Sequence, residues 1–341
     1  MNRRIVTLLV ALVPVIALGV LGSVLTVPYA SLGPGPTYNT LGVVDGKQVV
    51  DIHGAPVDPT SGHLNMTTVS VRDGLNIFEA MALWASGQQG LVPRSEIYPP
   101  DRTRQEIEQS NAAEFKQSEN SAELAALQYL KFPTILVVDE VSKDGPAKDA
   151  LRQGDELISI NGKPVHTVRE VQDVVAAVKP GSDVTIQYRR GGSESTAVIK
   201  LGARPDAPDK GYLGISPEQK PQAPFSVDFN LADVGGPSAG LMFSLAVIDK
   251  LTPGELSGGK FIAGTGTIDD DGTVGPIGGI QYKMAAARSA GATVFLVPDK
   301  NCDEARQETP DGLQLIKVDA LSDAVGSLEA LRSGRPVPSC S

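Results

Sequence analysis

The sequence predicts a multidomain α+β protein: an N-terminal transmembrane helix, then a β-rich module, then an α/β region. Three observations carry this. The chain has 341 residues, more than one ordinary domain of roughly 100–200 residues holds. Residues 5–27 contain no charge, a run long enough for a spanning helix of roughly 20 residues and longer than the roughly 7–15 of a signal-peptide core. The texture of the sequence then changes twice, at Lys131 and again from Phe225.

The N-terminal run reads as an uncleaved signal anchor over residues 1–28. Arg3 and Arg4 keep its start in the cytoplasm by the positive-inside rule. The bulk of the chain, from about Tyr29, is then expected outside a cell membrane that it crosses once. A cleaved secretory peptide is the alternative, weakened by Pro28, which spoils the small-x-small cleavage pattern in VPYAS. Both readings place the chain in an oxidising space, which permits Cys302 and Cys340 to pair without requiring it. Their spacing fits no zinc site, so no metal is expected. The net charge of −10 and the lack of a basic patch with interleaved aromatics argue against nucleic-acid binding.

Residues 29–130 read as an α+β lead-in. PYASLGPGPTYNTLG is extended or turn-like from its Gly and Pro content. HLNMTTVSV alternates with period two, as a strand does. DGLNIFEAMALWASG reads as a helix stopping at Gly87. A long polar helix runs from Thr103, where TRQE forms a capping box, to about Leu130.

Residues 131–205 have a different texture. ILVVDEV is a buried strand, and LRQGDELISINGKPV holds a short strand and an Asn-Gly hairpin turn. VREVQDVVAAV places Val168, Val171, Val174, Val175 and Val178 on one helical face. DVTIQYRRGGSESTAVIKL is a hairpin about Gly191-Gly192. This order, with Leu151-x-x-Gly154-Asp155-x-Leu157-Ile158-x-Ile160-Asn161-Gly162, resembles a bacterial-type PDZ domain. The resemblance implies a module that binds an extended peptide as an added strand beside the helix. It points to a groove between Thr134–Val138 and the helix from Val168, with Phe132, Thr134, Leu136, Val168 and Val171 as the peptide-binding residues. No Gly-Leu-Gly-Phe type carboxylate loop is recognised near Leu130-Lys131-Phe132-Pro133.

From residue 206, strands and helices alternate: LMFSLAVIDKL, KFIAGTGTI, IQYKMAAARSAG, ATVFLVP, LQLIKV and ALSDAVGSLEAL. Gly236-Pro237-Ser238-Ala239-Gly240 fits the G-x-S-x-G nucleophile elbow. The hydrolase order Ser, Asp/Glu, His is broken, because His53, His63 and His166 all precede Ser238. A serine without histidine needs another base, and lysine is the usual substitute. Lys283 lies near a helix start among apolar neighbours, where burial and the helix dipole both favour the neutral amine. Ser238 opens another helix, whose first amides can stabilise an oxyanion. Asp269-Asp270-Asp271-Gly272 lacks the spacing of a calcium loop and reads as an acidic hairpin turn.

The run from Gly235 to Asn301, with Gly-Pro-Ser-Ala-Gly, Thr265-Gly266 and Val274-Gly275-Pro276-Ile277-Gly278-Gly279-Ile280-x-x-Lys283, resembles the proteolytic domain of Lon proteases. The resemblance implies a Lon-type α/β domain over residues 206–341, with Ser238 as nucleophile and Lys283 as general base. It gives supporting roles to Thr265, Gly236 and Pro237, and to Asp233 as a nearby carboxylate. The chain has no G-x-x-x-x-G-K-[ST] phosphate loop. Anchor, PDZ-like module and Lon-type domain together resemble a bacterial family of membrane-anchored, ATP-independent Lon-like serine peptidases. The expectation is a serine endopeptidase that needs no cofactor and takes peptides or unfolded proteins, with a homo-oligomer as an open option. The alternative is a catalytically silent peptide-binding scaffold at the cell surface.

Overall fold

The computed structural model describes residues 3–87, 89–232 and 234–340. The chain divides into two compact units, Met1–Ala122 with Val227–Ser341, and Glu123–Ser226.

The first unit is built on a six-stranded mixed sheet. Its strand order is Gln314–Val318, Val294–Pro298, Phe261–Gly264, His63–Arg72, Tyr29–Asn39 and Gly90–Pro93. Phe261–Gly264 runs parallel to both neighbours, pairing Ala263 with Asn65 on one side and with Phe295 on the other. Tyr29–Asn39 is antiparallel to both of its partners. Its Gly and Pro content suggested turns, yet it forms a strand, because the irregularity falls between Pro34 and Thr37. Pro36 falls in that break, and its C=O accepts from Thr68 Oγ1 at 2.8 Å. The helix Gly240–Leu251 is largely apolar and buried from Gly240 to Lys250, as a helix enclosed by its own domain is. Ile280–Ser289 packs on Tyr29–Asn39 and His63–Arg72.

Helix boundaries follow capping chemistry. Ile77–Ser86 starts with Asn76 and Glu79 in a reciprocal capping box and stops at Gly87 in the left-handed region. Arg104–Tyr129 starts where Thr103 and Glu106 bond each other's backbone N–H.

The expected transmembrane span requires correction, and with it the single-pass localisation. A helix does form at Arg3–Val24. Among the described residues, however, no helix is long and apolar enough to cross a membrane. The end of Arg3–Val24 is tied to the next helix, with Val27 N–H donating to Leu75 C=O at 2.8 Å.

The second unit is an antiparallel sheet ordered Ser193–Lys200, Asp183–Arg190, Glu156–Ile160, Thr134–Val141 and Ile215–Pro221. Leu136, Val138, Leu157, Ile160 and Ile186 form its core with Val171 and Val175 of the helix Val168–Ala176. Thr167 and Glu170 cap that helix. Asn161 and Gly162 both have positive φ, 52° and 76°, as the Asn-Gly hairpin turn requires.

Cys302 and Cys340 form a disulfide, with Cα atoms 5.0 Å apart. The C-terminal segment also lies against the sheet, where Lys317 N–H donates to Pro338 C=O at 3.1 Å. Closing a 38-residue separation restricts the unfolded chain by about 4 kcal/mol on the chain-entropy model. Replacing both cysteines by serine is expected to lower Tm by roughly 5–10 °C. Thermal melts with and without reductant check this, and superimposable curves would show that the bond contributes nothing.

Candidate active site

Ser238 lies in the turn that leads into Gly240–Leu251. The turn needs two of its glycines. Gly236 has φ 85°, a conformation that a side chain resists. At Gly240 a Cβ would stand 2.6 Å from Ile268 Cγ2 and 3.0 Å from Ser118 Oγ, so the helix start can approach its neighbours only without one.

Thr265 follows the strand Phe261–Gly264, and Lys283 is in the first turn of Ile280–Ser289. The three side chains meet. Lys283 Nζ lies 2.7 Å from Ser238 Oγ and 3.0 Å from Thr265 Oγ1. Thr265 Oγ1 donates to Ser238 C=O at 3.1 Å, and that carbonyl also accepts from Gly266 N–H at 3.0 Å. The threonine's single proton is therefore committed, and its oxygen is left to accept from the lysine. Lys283 is 3% exposed and Thr265 is fully buried. Burial pushes the Lys283 amine down to about 8 from an ordinary 10.5, because a desolvated ammonium is disfavoured. Among the described residues no carboxylate bonds to Lys283. Asp233 lies outside the described residues.

The trio opens on a cleft of about 600 Å³ that contains Gly236, Pro237, Ser238 and Lys283. Its apolar walls come from Met66, Val69, Phe115 and Ile277, with Tyr38 and Thr68 beside them. Met66, Val69 and Phe115 belong to the segment read as a lead-in. No local motif marks them; only the pairing of His63–Arg72 with Phe261–Gly264 brings that strand to the site. None of the three histidines lines the cleft. His63 stacks on Phe261, with ring centroids 4.4 Å apart, and His53 lies 3.4 Å from both Asp51 and Asp228.

The five peptide-binding residues expected in the second unit do not line an open groove. Both edges of Thr134–Val141 are occupied, by Ile215–Pro221 along its length and by Glu156–Ile160. Leu136 and Val171 are core, and Val168 packs against that core. Phe132 meets Phe225 edge to face at 5.3 Å, and Thr134 Oγ1 accepts from Gln219 Nε2 at 3.3 Å. Beside the helix Val168–Ala176 lie Ala207–Tyr212 and Ile215–Pro221. Tyr212-Leu213-Gly214-Ile215 leads into the latter. Gly211 admits no side chain, since a Cβ would lie 2.5 Å from Val175 O. Gln222 N–H donates to Pro133 C=O at 2.7 Å. Strand alternation then turns the backbone groups of Lys220 and Glu218 toward Thr134–Val141, and those of Pro217, Gln219 and Pro221 toward the outer edge. Of those three, only Gln219 has an N–H to offer.

Residues 112–201 match the PDZ domain, and residues 232–329 match the Lon protease (S16) C-terminal proteolytic domain. Both domains are present in the chain. A probable periplasmic serine endoprotease, DegP-like, from Pseudomonas fulva is 34% identical over 88 residues, covering 26% of this chain and 18% of that protein. A Lon protease from Methylocella silvestris is 33% identical over 135 residues, covering 37% of this chain and 16% of the relative. The chain thus spans less than a fifth of the length of either relative. The solved PDZ domain of an SdrC-like protein from Listeria monocytogenes is 32% identical, covers 24% of this chain and 84% of that one, and has a TM-score of 0.22.

Lys283 has a stability consequence. Its folded value lies below its ordinary one, so below pH 8 the fold bears the full cost of a buried ammonium, about 3 kcal/mol. That cost fades as pH rises from 8 to 10.5, where the folded chain has lost the proton and the unfolded chain still holds it. Lys283→Met is expected to raise unfolding stability at pH 7 by roughly 1–2 kcal/mol, after two lost hydrogen bonds are counted. The advantage should shrink toward pH 10. Urea titrations of both proteins at pH 7 and pH 10 check it, and an equal gap at both pH values would refute the assignment.

Proposed function

We propose that the chain is a serine endopeptidase in which Ser238 is the nucleophile and Lys283 the general base. The observation that carries this is the buried contact of 2.7 Å between Lys283 Nζ and Ser238 Oγ, at the mouth of an apolar cleft. The neutral amine accepts the Ser238 proton as Oγ attacks the scissile carbonyl. Thr265 holds one lysine N–H, so the lone pair is left for the serine. The tetrahedral oxyanion forms where the Ser238 N–H points, just ahead of Gly240–Leu251. The ammonium then returns its proton to the leaving amine, which departs and leaves an acyl-serine. Water, deprotonated by Lys283, hydrolyses that ester. The chain carries no phosphate-loop sequence, and hydrolysis is proposed to proceed without ATP.

The PDZ domain supplies the second half of the proposal. An extended peptide adds to the outer edge of Ile215–Pro221, beside Val168–Ala176, with its end toward Tyr212–Gly214. Support comes from the free outer edge of that strand, the neighbouring helix and the glycine at position 211. Substrates are accordingly peptides or unfolded proteins.

A fluorophosphonate probe is expected to label the wild-type chain, and Ser238→Ala and Lys283→Ala to abolish labelling while melting near the wild-type temperature. A folded wild-type protein that stays unlabelled would sink the proposal. The labelling rate should rise with pH through a midpoint near 8, since only the neutral lysine acts as base. A rate that is flat from pH 6.5 to 9.5 would exclude Lys283 from that role.

A further inference from the structure

The loop that carries Ser238 is anchored by one face of the long helix Arg104–Tyr129. Gly236 N–H donates to Asn111 C=O at 3.0 Å. Ser118 Oγ donates to Pro237 C=O at 3.0 Å. Phe115, between them on the same face, meets Phe243 edge to face at 5.7 Å and lines the cleft. Two glycines make room for this helix. A Cβ on Gly235 would lie 2.9 Å from Asn111 Cβ, and one on Gly240 would lie 3.0 Å from Ser118 Oγ.

The bond to Pro237 decides the direction of a peptide plane. The chain has no cis peptide bonds among the described residues, so the C=O of Pro237 and the N–H of Ser238 point in opposite directions across one rigid unit. With the carbonyl drawn toward Ser118, the N–H faces away from the long helix. No acceptor for that N–H is found among the described residues. The next carbonyl, of Ser238 itself, is held by Thr265 and Gly266. Both peptide planes that flank the nucleophile are therefore fixed. Ser118 is 5% exposed.

We propose that Ser118 is a positioning residue: its hydroxyl holds the Pro237–Ser238 peptide with the Ser238 N–H turned toward the developing oxyanion. The inference rests on Ser238 being the nucleophile. Without the bond, the plane is free to rotate and the site loses a preorganised donor, while Ser238 Oγ and Lys283 stay in contact. The loss falls on the transition state, not on substrate binding.

The test uses the full chain with fluorescein-labelled casein as substrate and a peptide aldehyde as inhibitor. Ser118→Ala is expected to lower kcat roughly 10- to 100-fold, a fraction of what deleting an oxyanion donor costs. KM should change little, the aldehyde should bind correspondingly weaker, and the pH midpoint of kcat should not move. Ser118→Thr keeps the hydroxyl and should restore most of the rate. Ser118→Cys, nearly isosteric with a weaker donor, should fall between, and it serves where the alanine variant melts too early. Wild-type kcat in Ser118→Ala overturns the proposal alone. Equal losses in all three variants that track falling Tm overturn it in favour of simple packing. An inactive, unlabelled wild type removes the nucleophile assignment, and this inference falls with it.

Discussion

The site depends on one constraint: a lysine amine is kept out of water and given only hydroxyl partners. A carboxylate within reach would stabilise the ammonium and raise its pKa. Ser238 and Thr265 offer oxygen without charge, so nothing described offsets the desolvation of Lys283. The rest of the first unit serves this arrangement. The helix Ile280–Ser289 lies on two strands of the sheet and brings the lysine in from one side. Gly240–Leu251, buried throughout, brings the serine turn from the other. The strand end at Gly264 sets Thr265 between them.

Those parts are far apart along the chain. The ladder between His63–Met66 and Phe261–Gly264 closes a very long loop, and the whole second unit lies within that interval. Closing such a loop costs entropy that grows only slowly with length, so an inserted domain is tolerated. The long-range ladder must still form before the cleft has its Met66 and Val69 wall. Non-local pairing of this kind slows folding.

Much of the chemistry was legible because it is local. Ser238 and Lys283 each sit in a short motif, and the capping box at Thr103 marks a helix start without tertiary help; those at Asn76 and Thr167 are equally local but were not read from the sequence. The valine face of Val168–Ala176 was readable for the same reason, being set by a 3.6-residue period. What could not be read is set by pairing partners. Nothing within PYASLGPGPTYN says that it is a strand held on both sides; its partners supply the reason. From sequence, the peptide groove was set against Thr134–Val138; that Ile215–Pro221 lies outside that strand is a matter of sheet order, which no local pattern carries. Asn111 and Ser118 lie on a helix with no clear apolar stripe, so their face was indistinguishable from a solvated one. The uncharged N-terminal run misled because the absence of charge does not by itself make a helix long and apolar enough to span.

The outer strand of the second unit has a consequence for solubility. An exposed sheet edge offers a row of N–H and C=O groups to any other strand, including the same edge of a second copy. Ile215–Pro221 turns Pro217 and Pro221 outward, which removes two of the donors such a match would use, and Lys220 and Glu218 add charge on the same short strand. Two copies brought edge to edge would leave carbonyls facing ring carbons. The edge is thus suited to a short visitor that needs few hydrogen bonds and is a poor seed for the continuous ladders of an aggregate.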